Sequence, residues 1–256
     1  TSVATPSHHA GRMLSAVLYL FSFDVLYAAT HASGIQQINL FLVLGERYLR
    51  THRQCTERQV QEFILQQFSR CGLRLDSDRP IVAFREHTSQ VHYFPSRKGS
   101  LRLRPNSWVL LDIWARLDSP RAPYADITWM AWRGGRVPLA QARAFAAVVA
   151  ARDLSLAYLK REVVAKRLPV GRAVDAIART RLDRRCFAST FLHTLGHSLG
   201  VLHPHGKLPG FAPRNNTRIA EGMGYTIEPG VYLDASHGAR VEMDCYVTTD
   251  YQVIIT

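Results

Sequence analysis

Apolar residues fall at two spacings along this chain, and each change of spacing marks a new element. Ile35, Ile38, Phe41, Leu42 and Leu49 recur at every third or fourth position and predict a helix within Gly34–Arg53. Thr56-Glu-Arg-Gln59 is a capping-box pattern that opens a second helix through Phe63, Ile64 and Phe68 to Gly72. Pro80–Phe84 reads as a strand, and Val91–Phe94 as a short strand or a loop before Pro95. The run Trp108–Trp114 predicts a buried strand. In Tyr124–Trp129 the polar pair Asp126 and Thr128 alternates with Ile127 and Trp129, so a strand would put them on opposite faces. Ser119–Pro123 joins the two at the surface, and Trp132–Gly135 ends the hairpin. A helix from about Leu139 to Val163 carries an apolar stripe of Phe145, Val148, Val149, Leu156, Leu159 and Val163, and another runs from Gly171 to about Arg185.

The order of helix, helix and carboxylate-bearing strands therefore occurs twice, without any residue-level repeat. At 256 residues and 47% hydrophobic composition the chain can bury a real core. Cys55, Cys71, Cys186 and Cys245 are widely spaced with no Cys-x-x-Cys pair, which excludes a zinc ribbon and a disulfide framework and predicts reduced thiols in the cytoplasm. The net charge of +12 raises the question of nucleic acid. However, the basic residues are scattered, with Arg181, Arg184 and Arg185 the densest group, and solvated faces account for them without a nucleic-acid partner. Asp24 divides the apolar stretch Met13–Ala29, leaving it too short to span a bilayer, so no membrane is expected. It reads as a buried or partner-facing helix, with a cleavable leader (Arg12 as its charged region) as the alternative.

The chemistry concentrates near the C-terminal end. Asp112 interrupts a hydrophobic run, and a buried unpaired carboxylate costs several kcal/mol, so Asp112 requires a cation. His193-Thr-Leu-Gly-His197-Ser-Leu-Gly200 spaces two histidines by four, but Gly196 and Gly200 argue against a helical metal pair. Glu228 lies in Thr226-Ile-Glu-Pro-Gly-Val-Tyr232. In Ala239–Val247 the residues Arg240, Glu242 and Asp244 alternate with Val241, Met243 and Cys245, which a strand would gather on one face; an edge strand with that face in water is the bland reading. Two aspartates, one histidine and two glutamates form an oxygen-rich set that suits a pair of divalent metals better than one structural zinc.

The order Asp112, Asp126, His197, Glu228, Glu242, within His-x-x-Gly-His-Ser-x-Gly, Ile-Glu-Pro-Gly-Val-Tyr and Gly-x-Arg-x-Glu, resembles the pita-bread metallopeptidases, which include methionine aminopeptidase, Xaa-Pro aminopeptidase, prolidase and creatinase. The Trp-bearing Leu110–Asp118 and Tyr124–Trp129 segments resemble the Xaa-Pro branch most. The resemblance implies an α+β fold of pseudo-twofold halves, with helices around a curved antiparallel β-sheet. It implies a catalytic domain at 34–256 preceded by an N-terminal remnant or extension at 1–33. It further implies a metal-dependent exopeptidase cutting Xaa-Pro bonds in a peptide substrate, with room for a homodimer. The implied metal ligands are Asp112, Asp126, His197, Glu228 and Glu242, holding two divalent ions. Manganese is expected from the hard shell, with cobalt, iron or zinc as substitutes. Glu228 would act as general base, and His92, His193 and His205 as catalytic histidines, His193 also lining the substrate pocket.

The pattern departs from the family at one point. The usual seven-residue step beyond the ligand histidine lands on Pro204, bracketed by His203 and His205, and a one-residue shift favours His205. Arg240 would orient Glu242 or a substrate carboxylate, or else form a structural ion pair with Asp244 or Asp126. The competing classes are a methionine-aminopeptidase-like enzyme, a creatinase-like amidinohydrolase and a non-catalytic binding module.

Overall fold

Period-two alternation along one long strand divides the core into two layers. The computed structural model describes residues 48–76 and 78–256; the segment 1–33, the Met13–Ala29 stretch and most of the helix expected within Gly34–Arg53 lie outside them. Helix α1 (Glu57–Arg70) is followed by strands β1 (Leu73–Arg74), β2 (Ile81–Phe84), β3 (Ser107–Leu117) and β4 (Ala125–Arg133). Helices α2 (Leu139–Val164) and α3 (Gly171–Asp183) come next, then β5 (Met223–Ile227), β6 (Gly230–Leu233), β7 (His237–Arg240), β8 (Met243–Val247) and β9 (Val253–Ile255).

Strand β3 pairs antiparallel with β1 and β2 on one side and β4 on the other. Its odd positions, Val109, Leu111 and Ile113, join Ile127 of β4 and the α1 stripe Val60, Ile64 and Phe68 in one core. Its even positions, Trp108, Leu110 and Trp114, join Met130 and Trp132 of β4 in a second core with α2, α3 and the C-terminal strands. Asp112 and Asp126 have even parity, so both point into the second layer.

The capping box is present: Gln59 N–H donates to Thr56 Oγ1 at 3.2 Å and Thr56 N–H donates to Gln59 Oε1 at 2.8 Å, worth about 1 kcal/mol to the helix start. Val91–Phe94 is a loop rather than a strand. Along α2 the expected stripe is buried at Val148, Val149, Leu156, Leu159 and Val163, while half-buried Phe145 meets Trp108 edge-on at 6.0 Å. No helix among the described residues is long and apolar enough to cross a membrane.

The C-terminal strands form two antiparallel groups, β5-β8-β9 and β6-β7. The single strand expected over Ala239–Val247 is broken. Arg240 still pairs with Gly230 on β6 and Met243 already pairs with Ile227 on β5, and between them Glu242 N–H donates to Thr128 O of β4 at 3.1 Å. The chain changes partner at the residue that faces the interior of the site.

Candidate active site

Cross-strand register on the β3-β4 hairpin sets the first three polar groups: Asp112 opposes Thr128, and Trp114 opposes Asp126. Both faces of β3 are buried, so a one-residue slip would drive Trp108 and Trp114 into the core beside α1 and remove both aspartates from the site. Asp112 and Asp126 are accordingly buried.

His197 arrives on an extended segment laid beside β5. Thr226 N–H donates to His197 O at 2.9 Å, and Glu228 N–H to Leu195 O at 2.7 Å. The helix that the His193–His197 spacing allows is absent, for a steric reason. A Cβ on Gly196 would lie 2.0 Å from Thr226 O, so only glycine lets the segment approach β5 this closely. Thr226 Oγ1 accepts the His197 amide at 3.0 Å and donates to Glu228 Oε1 at 3.1 Å, orienting two predicted site residues at once. His197 Nδ1–H donates to Ser198 O at 3.0 Å, which leaves the Nε2 lone pair facing the site. That nitrogen lies 3.6 Å from Asp126 Oδ2 and 3.5 Å from Glu228 Oε1.

The residues Arg240, Glu242 and Asp244 do share a face, but it is the buried face, with each side chain turned toward β3 and β4. The solvated edge strand is therefore ruled out. Thr128 Oγ1 donates to Glu242 Oε2 at 2.9 Å, and Asp126 N–H donates to Asp244 Oδ2 at 2.9 Å. Arg240 pairs with neither Asp244 nor Asp126: its Nη2 lies 2.5 Å from Asp112 Oδ2. The same guanidinium donates to Thr128 Oγ1 at 3.2 Å, Tyr232 Oη at 2.6 Å and Val91 O at 3.1 Å. Asp112 does have the cation its burial requires.

Tyr232 passes this chain onward. Its hydroxyl donates to His193 Nε2 at 2.8 Å, because His193 Nδ1–H is committed to Thr194 O at 2.8 Å. Asp175 and Arg179 on α3 hold the backbone beneath: Leu195 N–H donates to Asp175 Oδ1 at 3.1 Å, and Arg179 Nη2 to His193 O at 2.7 Å.

Burial governs the electrostatics. It raises Asp126 and Glu242 well above the ordinary carboxylate range, helped by repulsion from Asp112 for Asp126 and from Asp126 for Glu242. Glu228 is pushed up to about 7, by burial first and then by Asp126, against the attraction of His197. Burial and the Arg240 charge hold His193 down to about 3 and keep it neutral.

Asp126, His197 and Glu242 bring one ligand atom each within 4.8 Å of one another. Glu228 adjoins them through His197, whereas Asp112 is turned to Arg240. His205 stacks on His197 with ring centroids 3.9 Å apart; His203 meets the outer side of His205 at 5.5 Å. Desolvation and the charges of His197, His203 and His92 lower His205 to about 4. His92 is exposed on the loop before Tyr93, close enough for its charge to act on both His193 and His205. Sequence reading passed over Tyr232, Thr128, Thr226 and the Asp175–Arg179 pair as functional groups. Thr128 carried a local signal in its shared strand face with Asp126, and the Asp175–Arg179 pair in an acid and a base one helical turn apart.

Three largely buried carboxyls around one imidazole, with the neighbouring guanidinium already committed to Asp112, disfavour their own ionisation unless a further cation offsets the charge. An imidazole nitrogen converging with carboxylate oxygens at this spacing offers lone pairs to a shared cation. Hard oxygen donors with one imidazole fit a divalent ion of the first transition row.

The sequence model described as metallopeptidase family M24 matches residues 29–249. YkvY of Bacillus subtilis, provisionally named a dipeptidase, is 29% identical over 202 residues, covering 78% of this chain and 51% of its own length. An uncharacterized peptidase of Staphylococcus aureus is 27% identical over 213 residues, covering 83% of this chain and 56% of its own. Among solved structures, a dipeptidase from Pyrococcus horikoshii superposes with a TM-score of 0.66 at 25% identity, over 78% of this chain and 51% of that one. A prolidase from Thermococcus sibiricus gives 0.69 at 23% identity, over 91% and 59%. The fold is thus the pita-bread fold, and the chain spans about half the length of the curated relatives it matches.

Proposed function

Because the chain belongs to metallopeptidase family M24, we propose that it is a metal-dependent exopeptidase that removes the N-terminal residue of peptides, preferentially at Xaa-Pro bonds. The observation that carries this reading is the convergence of Asp126, His197 and Glu242 within 4.8 Å, with Glu228 Oε1 3.5 Å from the same imidazole nitrogen. The Xaa-Pro preference rests on the Trp-bearing hairpin and on the likeness to the Thermococcus sibiricus prolidase; the dipeptidase names of YkvY and the Pyrococcus horikoshii protein support peptide hydrolysis alone. The catalytic unit in this reading is 34–256. Its four cysteines are free, which supports a reducing cytoplasmic setting.

Asp112, Asp126, His197, Glu228 and Glu242 would hold two divalent ions, manganese for preference, which would supply Lewis acidity toward water and the peptide carbonyl. Glu228 takes the proton of the attacking water and later returns it to the leaving amine. His193 is neutral and hydrogen-bonded to Tyr232, so it presents a fixed wall to the substrate rather than a charge. His92 and His205, on the solvent side, supply donors to the carbonyl oxygen as negative charge develops there. Arg240 holds Asp112 and Tyr232 in place through a single planar group.

The test is hydrolysis of a short Xaa-Pro peptide by chelated protein, before and after manganese is added. Cleavage should appear only with the ion, and Glu228→Ala should lower kcat by roughly a hundredfold or more; Asp126→Ala should abolish it. Ion binding without cleavage of any peptide would instead support the binding-module reading.

A further inference from the structure

We propose that Asp244 is a further residue of the metal centre, one that positions the Asp126 and Glu242 ligands relative to each other and sets their affinity for divalent cations. This rests on the metal-centre reading above. Strands β4 and β8 belong to different sheets and share no ladder. At the site they are joined by Glu242 N–H to Thr128 O at 3.1 Å, by Thr128 Oγ1 to Glu242 Oε2 at 2.9 Å, and by Asp126 N–H to Asp244 Oδ2 at 2.9 Å. In the last contact a side-chain carboxylate stands where a sheet would place a backbone carbonyl. Its acceptor on β8 lies two residues beyond Glu242, so the link fixes the gap between a ligand on β4 and the ligand that immediately precedes β8.

A neutral acceptor would make that hydrogen bond at lower cost. Asp244 is only 2% exposed, and its second oxygen, Oδ1, has no hydrogen-bond partner among the described residues. A buried carboxylate with one bare oxygen is expensive, and is retained where a nearby cation offsets it. Arg240 is bound to Asp112 and does not serve. On its other edge Asp244 pairs in register with Thr226, whose hydroxyl orients His197 and Glu228. The residue thus sits behind both the Asp126–Glu242 side and the His197–Glu228 side of the centre, as an outer carboxylate supporting ligands it does not replace.

Manganese titration of the chelated full chain by calorimetry, with melting of each chelated protein followed by circular dichroism, tests this without any activity assay. Asp244→Asn keeps an acceptor of the same size and removes the charge; Asp244→Ala removes both. Manganese affinity should fall about tenfold or more in the alanine variant and about threefold or more in the asparagine variant. Folded variants that bind manganese within about twofold of the wild type overturn the proposal. Should the alanine variant fail to fold, the asparagine variant decides by the same criterion. A wild-type chain that takes up no manganese sinks the metal reading itself, a different outcome from equal binding by all three proteins.

Discussion

Arg240 and Asp112 meet at 2.5 Å although 128 positions separate them in the chain. They join the end of β7 to the middle of β3, and both are buried. Removing one member of such a pair leaves an uncompensated charge inside the protein and typically costs roughly 3–5 kcal/mol. Arg240→Met should therefore lower unfolding free energy by about that amount in urea titrations of the chelated protein. A loss under about 1 kcal/mol would show that the pair adds little beyond its replacement by packing.

Crowded carboxylates make the chelated protein strained in a specific sense. Burial and repulsion from Asp126 disfavour charge on Glu242, while its contact with the Thr128 hydroxyl at 2.9 Å is one that a glutamine oxygen also accepts. Glu242→Gln is thus expected to melt at a higher temperature than the wild type when both are chelated. The order should reverse when manganese is added, since an ion at a hundred times its Kd stabilises the wild type by about 2.7 kcal/mol and the variant by far less. Thermal melts with and without the ion decide; an equal rise in both would place the ion elsewhere.

A second charge network, which shares no residue with the carboxylate cluster, should shape the acid limb of the stability curve. Asp76 accepts from Arg116 Nε at 2.6 Å and from the Tyr124 hydroxyl at 2.9 Å, and the Arg116 contact above all holds its carboxyl below the usual range. A folded-state pKa below the unfolded one contributes stability that is fully present above the unfolded value and is lost as pH falls through the folded one. Arg116 is buried and the Asp76 side chain only partly exposed, and a hydrogen bond between charged groups in such a setting contributes about 1.5–3 kcal/mol. The gap in stability between wild type and Asp76→Asn should be greatest near neutral pH and should close on acidification. A gap that stays constant down to about pH 2 would mean the hydrogen-bond geometry, not the charge, is what matters.

The local features were legible in the sequence because their causes are local. The hydrophobic run put Asp112 on a buried strand, alternation put Asp126 and Thr128 on one face, the Thr56–Gln59 box started α1 within a residue, and Gly196 spoke against a helix at His197. What sequence could not supply was partnership. That Asp112 needs a cation follows from its hydrophobic neighbours, but that Arg240 rather than a residue nearby provides it depends on how β7 docks on β3. The break between β7 and β8 was hidden for the same reason, since an unbroken alternation over Ala239–Val247 reads the same whether one partner strand or two receive it. The choice of His205 over His203 rested on register alone, and the structure supplies the stacking on His197 that places its ring.

Glu57 offers the sharpest separation of substrate positioning from metal binding. It is completely buried at the first turn of α1 and accepts from Phe84 N–H and Leu101 N–H at 2.7 Å each, from the Tyr93 hydroxyl at 2.6 Å and from His87 Nδ1 at 2.9 Å. One carboxylate thereby ties together the end of β2, the turn after it and the residue that follows His92, while Arg240 holds Val91 O from the other side at 3.1 Å. Glu57→Gln replaces one acceptor oxygen by an NH2 group facing donors, a mismatch worth about 1–3 kcal/mol. Stability should fall by that much and the His92 loop should lose its fixed position. No ligand carboxylate is touched, so manganese affinity should remain at the wild-type value while kcat/KM for an Xaa-Pro peptide drops about tenfold or more, the scale expected when a catalytic group is displaced by a fraction of its reach. Calorimetry and steady-state kinetics on the same preparation check both halves. Equal losses in affinity and turnover would mean that the loop and the metal centre move as one body and that Glu57 supports the whole site rather than His92.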